Sequence, residues 1–263
     1  MDDPLIIAGK KFKSRLMVGT GRHRNMEEMV ASIEASGAEI VTVAIRRLNL
    51  DNPQEKNILD YFDWDRYTVL PNTAGCKTPE EAVFTARLAR EVTGTNWIKL
   101  EVMPVPRWLL PDPVGTFEAA RQLLDEGFVV LPYIHADPVL AMKLEELGCA
   151  TVMPLGSAIG TGQGILTIDE VRLIIEASSV PVVVDAGLGV PSEASQAMEE
   201  GSDAVLVNTA IAQAADPALM GEAFKLGVEA GRKAYVAGRI ARKPEGTPSS
   251  PAGGMATPAA KGS

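Results

Sequence analysis

The chain has 263 residues, 46% of them hydrophobic and 22% charged, enough for one large α/β domain with a full core. A net charge of −9 argues against a nucleic-acid binder or a surface that seeks anionic lipid. The two cysteines, Cys76 and Cys149, and two histidines, His23 and His135, show no metal-ligand spacing, so no metal is expected. With no basic leader and no apolar run of spanning length, a cytoplasmic protein with reduced thiols is expected.

Taken in order, the chain reads as strand, loop and helix, repeated. Residues 15–18 form an apolar strand ending in Gly19-Thr20-Gly21, followed by a helix over 25–36 that Asn25 caps and Gly37 ends. A β-branched strand at 39–45 leads to a long polar segment, 46–66, with one helical turn near 58–62. The third strand, 67–70, stops at Pro71-Asn72-Thr73, and Thr78, Pro79 and Glu81 then open a helix as a capping box. Strand four covers 97–102, with its helix at 114–126; strand five covers 128–133, with a helix from Asp137. Strands six, seven and eight are read at 150–154, 181–185 and 204–207, with helices at 167–177, 191–200 and 217–237.

Eight short aliphatic strands alternating with helices call for parallel βαβ units, and eight units in this length fit a (β/α)8 barrel. An open doubly wound sheet is the alternative. The barrel is favoured because Asn72, Glu101, Asp185 and Asn208-Thr209 all fall where strands end, and a barrel gathers such positions at one mouth. Residues 1–243 are read as this catalytic domain. Residues 244–263, rich in Pro, Gly, Ser, Thr and Ala, are read as a disordered tail with too little apolar surface to offset ordering.

Strand four carries the most pointed chemistry. Side chains alternate, so Ile98, Leu100 and Val102 share one face while Trp97, Lys99 and Glu101 share the other. Lysine and glutamate are rarely buried without a reason. A structural ion pair would account for them, and so would an imine-forming lysine beside a carboxylate that moves protons. Asp185, ending strand seven, is a third candidate for proton transfer. The run Gly156-Ser157-Ala158-Ile159-Gly160-Thr161-Gly162-Gln163-Gly164 allows backbone N–H groups to turn toward an anion, although no lysine follows as in a nucleotide P-loop. Ala186, Gly187, Asn208 and Thr209 follow the last two strands, where barrels often hold phosphate, and a side chain at Gly160 or Gly187 is expected to stand between amides and anion. Arg46 and Arg47 end strand two and could meet an anionic ligand, and His135 ends strand five.

Several of these stretches together resemble a known family. Ala44-Ile45-Arg46-Arg47, Pro71-Asn72-Thr73-Ala74-Gly75, Trp97-Ile98-Lys99-Leu100-Glu101, Leu110-Pro111-Asp112-Pro113, Gly160-Thr161-Gly162-Gln163-Gly164, Val184-Asp185-Ala186-Gly187 and Val207-Asn208-Thr209-Ala210 are similar, in order, to the thiazole synthases of thiamin biosynthesis. The resemblance implies a (β/α)8 barrel whose substrates are 1-deoxy-D-xylulose 5-phosphate, dehydroglycine (iminoacetate) and a ubiquitin-like sulfur-carrier protein bearing a C-terminal thiocarboxylate. It places the imine-forming lysine at Lys99, the acid/base carboxylates at Glu101 and Asp185, and the sugar-phosphate contacts at Gly160, Ala186, Gly187, Asn208 and Thr209. No metal or nucleotide cofactor is expected, and a homo-oligomer, dimer or tetramer, is. Two places depart from the family pattern: Pro104-Val105-Pro106-Arg107-Trp108, and His135. A class I aldolase-type sugar-phosphate lyase and a non-catalytic barrel scaffold are the competing functions. Deleting residues 244–263 is expected to leave the melting temperature nearly unchanged in a thermal melt, and a loss of several degrees would show that the tail packs on the barrel.

Overall fold

The computed structural model describes residues 3–47 and 58–249. It opens with a hairpin the sequence reading did not anticipate, β1 (Leu5–Ile7) and β2 (Lys10–Phe12), paired antiparallel around Ala8 and Gly9, both at positive φ. The repeat then begins with β3 (Leu16–Gly19), α1 (Met26–Ser36), β4 (Ile40–Ala44), β5 (Thr68–Asn72) and α2 (Pro79–Thr93). It continues with β6 (Trp97–Leu100), α3 (Pro113–Asp125), β7 (Val129–Ile134), α4 (Pro138–Leu147), β8 (Met153–Pro154) and α5 (Ile168–Ala177). The last elements are β9 (Val183–Asp185), α6 (Pro191–Glu199), β10 (Ala204–Val207), a short α7 (Thr209–Ala212) and α8 (Pro217–Ala237). In the stretch expected to be long and polar, 3-10 turns occupy Ile45–Arg47 and Ile58–Tyr61, while 48–57 lie outside the described residues. Of the expected tail, 244–249 are exposed without helix or strand, and 250–263 lie outside the described residues.

The local signals act as expected at most helix starts. Asn25 accepts the Glu28 N–H at 2.8 Å, and Gly37 ends α1 in the left-handed region. Thr78 caps α2 through Glu81 N at 3.3 Å, but Glu81 returns its carboxylate to Lys77 N, one residue before the box would have it.

All eight strands from β3 onward are parallel, ordered β8-β7-β6-β5-β4-β3-β10-β9. The two ends of this order meet. Bridges Val152–Val182 and Leu155–Asp185 join β8 to β9, with Val183 N donating to Val152 O at 2.9 Å and Gly156 N to Asp185 O at 3.0 Å. The sheet is therefore a closed (β/α)8 barrel, and the open doubly wound alternative is excluded.

Alternation then sorts the side chains. Ile98, Leu100, Val102 and Val130 face outward onto Ala82, Val83, Ala86, Ala119 and Leu123 of α2 and α3. Met17, Ile40, Leu70, Leu131, Met153, Val183 and Leu206 fill the interior, and Leu5, Ile7 and Phe12 of the hairpin join the same cluster. The hairpin thus plugs one end of the barrel with apolar side chains, leaving the strand C-termini free to build a polar site at the other. Ile7→Ala removes a fully buried side chain from this plug. It is expected to cost about 2–5 kcal/mol in denaturant unfolding, with an unchanged m-value.

Candidate active site

At the strand C-termini three charged side chains meet inside the barrel. Lys99, Glu101 and Asp185 are 4%, 3% and 2% exposed. Lys99 Nζ donates to Glu101 Oε1 at 2.8 Å and lies 2.7 Å from Asp185 Oδ2, an ionic contact without an aligned hydrogen bond. The Tyr133 ring centroid is 5.3 Å from Nζ. Lys99 and Asp185 reach this point because they occupy inward positions on β6 and β9. Glu101 comes just past the end of β6, where Thr73 holds its backbone from both sides, accepting its N–H and donating to its carbonyl, each at 2.8 Å. The inner-face reading of Lys99 and Glu101 holds.

The electrostatics of the trio follow from the count of charges. Burial pushes the Lys99 ammonium down, but the carboxylates of Asp185 and Glu101 push it up by more, so it stays protonated through the neutral range. One ammonium cannot balance two carboxylates. Burial pushes the Asp185 carboxyl up against the pull of Lys99, which favours its protonated form. Burial, reinforced by the same two carboxylates, also raises the Tyr133 phenol, so it remains neutral.

Above the trio opens a cavity of about 780 Å³, lined by all three charged residues and by the loops after β3, β4, β5, β8, β9 and β10. Gly160, Ala186, Gly187, Asn208 and Thr209 all line it, so the residues that the resemblance assigns to catalysis and to the sugar phosphate lie at one mouth. The two glycine loops lean on each other. Gly164 N donates to Gly187 O at 2.9 Å, and Glu193 receives Gly189 N at 2.6 Å and Val190 N at 3.3 Å. Ala186 stands at φ +63°, a left-handed conformation unusual for a residue with a side chain, directly after Asp185.

The glycines differ from the sequence expectation in one respect. A Cβ on Gly187 would lie 1.9 Å from Ser157 Oγ and 2.6 Å from Ser157 N, so its missing side chain makes room for the neighbouring loop and not for an anion. At Gly160, φ is +77° and the nearest atom to a Cβ is Thr209 Oγ1 at 3.8 Å, so the space between these two loops is open there. The Asn208 side chain is also committed locally. With its amide nitrogen toward the β3 loop it donates to Gly21 O at 2.8 Å and Gly19 O at 3.2 Å.

Asn72 donates to Thr42 Oγ1 at 2.9 Å on the cavity wall, and Arg46 donates to Gly75 O at 2.8 Å while 3.4 Å from Glu81. His135 is half-buried and outside the cavity lining; its carbonyl accepts the N–H of Asp137, which caps α4. Pro104 to Trp108 is exposed, Trp108 at 58%. Thr73, Tyr133, Ser157 and Glu193 were not singled out from sequence. Tyr133 could have been, since β7 alternates Val129, Leu131 and Tyr133 on one face, and a phenol there must look into the mouth.

With this geometry, comparison with known proteins is decisive. Residues 6–251 match the family described as thiazole biosynthesis protein ThiG. The chain belongs to this family. It is 58% identical to the thiazole synthase of Syntrophobacter fumaroxidans, over 97% of this chain and 99% of that protein. It is 56% identical to the bifunctional protein ThiO/ThiG of Nostoc sp., over 97% of this chain but only 40% of that longer protein. The crystal structure of the Amycolatopsis orientalis BexX/CysO complex superposes with a TM-score of 0.83 at 32% identity, covering 92% of this chain and 99% of that one. The protein is accordingly an enzyme of thiazole formation in thiamine biosynthesis.

The trio makes a stability prediction whose sign depends on the charge count. Lys99→Met leaves two buried carboxylates uncompensated and is expected to cost about 3–5 kcal/mol at pH 8. Asp185→Asn leaves a balanced Lys99–Glu101 pair and is expected to cost far less. Without Lys99, burial and the neighbouring Glu101 charge raise the Asp185 pKa in the folded state with nothing to oppose them, so acid protonates it there first and relieves the penalty. The Lys99→Met deficit should therefore shrink as pH falls from 8 to 5 in denaturant unfolding.

Proposed function

We propose that the chain acts as a thiazole synthase that condenses 1-deoxy-D-xylulose 5-phosphate, dehydroglycine and the sulfur of a thiocarboxylated carrier protein, through an imine on Lys99. The observation that carries this reading is a single lysine buried between two carboxylates at the floor of an open barrel mouth.

In the resting site Lys99 is an ammonium and cannot attack. Attack on the ketone requires its proton to leave, and Asp185, 2.7 Å away with its pKa raised by burial, is the acceptor placed to receive it. The protonated Asp185 then returns its proton to the carbinolamine hydroxyl, which leaves as water and gives the imine, whose positive nitrogen replaces the ammonium between the same carboxylates. The charge balance of the pocket is preserved through the step. The cationic imine acidifies the adjacent carbon, and Glu101 or Asp185 takes that proton and returns it one carbon along. This moves the carbonyl to the carbon where sulfur enters.

The sugar phosphate is assigned to the loops after β8, β9 and β10, at Gly160, Ala186, Gly187, Asn208 and Thr209. Positive φ at Gly160, Gly162, Ala186 and Gly187 supports this assignment, because such turns direct N–H groups to one side. So does the short α7 beginning at Thr209, an arrangement that recurs in phosphate-binding barrels. The neighbour solved as BexX with a second protein, CysO, supports a protein partner as sulfur donor. A homo-oligomer and a cytoplasmic location are part of the same reading; among the described residues no helix is long and apolar enough to cross a membrane.

Incubation with the deoxyxylulose phosphate, borohydride reduction and peptide mass mapping is expected to place one adduct on Lys99. Lys99→Arg keeps the charge but cannot form an imine. It is expected to abolish both adduct and thiazole formation, and near wild-type turnover in this variant would overturn the covalent route. Cleavage of a sugar phosphate without any sulfur donor would mark an aldolase instead.

A further inference from the structure

We propose that the barrel carries a second ligand site at the end opposite the mouth, built for a small polyanion such as a phosphorylated metabolite. A cavity of about 500 Å³ opens there, between the start of β3, the end of α1 and the flank of α8, and it shares no lining residue with the catalytic mouth. Its size is that of a small-molecule pocket.

Its charge is opposite to that of the molecule. The chain as a whole carries −9, yet six cationic side chains against three carboxylates line this cavity. The carboxylates are already committed. Asp3 is held by Arg15 at 2.9 Å and Arg232 at 2.7 Å, and Glu229 lies 3.8 Å from Lys233. Glu39 accepts the backbone N–H groups of Lys13 and Ser14, at 2.5 and 2.9 Å. Lys13 and Lys225 are left with no carboxylate within 4.0 Å among the described residues.

One further detail suits a bound anion. The Lys225 side chain runs over the glycine cap of α1, where a Cβ on Gly37 would meet its Cδ at 3.3 Å and its Nζ at 3.6 Å, which brings its exposed amine to the cavity rim. Arg15 and Arg232 spend their donors on Asp3 and Asp203, so the recognition set for clustered phosphate oxygens is the two ammonium groups without a carboxylate partner, on a wall that also carries Arg66 and Lys233.

The test is calorimetric titration of the full chain with inorganic pyrophosphate, at low and high salt. Three proteins are compared: wild type, the double variant Lys13→Gln with Lys225→Gln, and Gly160→Val at the mouth. The expected result is saturable binding to wild type that weakens with salt. Affinity should fall ten-fold or more in the double lysine variant, remain within two-fold in Gly160→Val, and leave melting temperatures of the lysine variant unchanged. Absence of saturable binding at millimolar pyrophosphate, or equal affinity in the lysine variant, would overturn the proposal. Loss in Gly160→Val alone would also overturn it, by placing the anion at the mouth.

Discussion

The ammonium of Lys99 between two buried carboxylates is the interaction on which the catalytic half of the molecule depends. Three charges this deep are tolerated only because they face one another at 2.7–2.8 Å. The same arrangement is poor for stability and good for chemistry. An apolar triad of similar volume would give a more stable barrel, so the trio is best understood through what it can do. It holds one positive nitrogen in place, and a cationic imine satisfies the same electrostatic demand as the ammonium. The surplus negative charge, which burial places on Asp185 as a raised pKa, supplies the base that converts one into the other.

That trio needs a rigid floor, and the hairpin supplies it. A barrel end left open would admit water beneath the inner side chains and weaken every electrostatic interaction above them. Leu5, Ile7 and Phe12 close that end and join the Met17–Leu206 interior, so the polar layer at Lys99 rests on a dry one. From above, Thr73 fixes the backbone of Glu101, and Ser157 sits against Gly187. The site is thus set on strand ends, with its neighbours held by loop contacts.

Strand and helix order, the inner face of β6 and the convergence of Glu101, Asp185, Asn208 and Thr209 were legible because they rest on local rules: period-two alternation, caps and strand ends. Membership of the barrel class followed from counting units. What was not legible depends on contacts between distant segments. The hairpin at Leu5–Phe12 is two three-residue strands, too short to show a period, and its burial is decided by the barrel it plugs. The steric role of Gly187 needs the position of Ser157, thirty residues away. Asn208 reads as a ligand contact at a strand end, yet its amide fastens the β3 loop. A strand-end polar residue in a barrel has two uses, binding the substrate and tying adjacent loops, and sequence position cannot separate them.

An acidic enzyme that handles phosphorylated compounds has to overcome its own field. At the mouth the proposed solution keeps cationic side chains away from the trio: Arg46 is tied to Gly75 and Glu81, Arg22 is exposed on the loop after β3, and the donors assigned to the phosphate are backbone N–H groups of the glycine loops. That choice is consistent with the chemistry below, since a free lysine or arginine near the imine would compete for Asp185 and Glu101 and disturb the proton balance. At the opposite end no reaction imposes that limit, and cationic side chains gather there openly. The separation of backbone donors from charged donors along the barrel axis thus follows from keeping one lysine, and one only, in contact with the carboxylates that must move its protons.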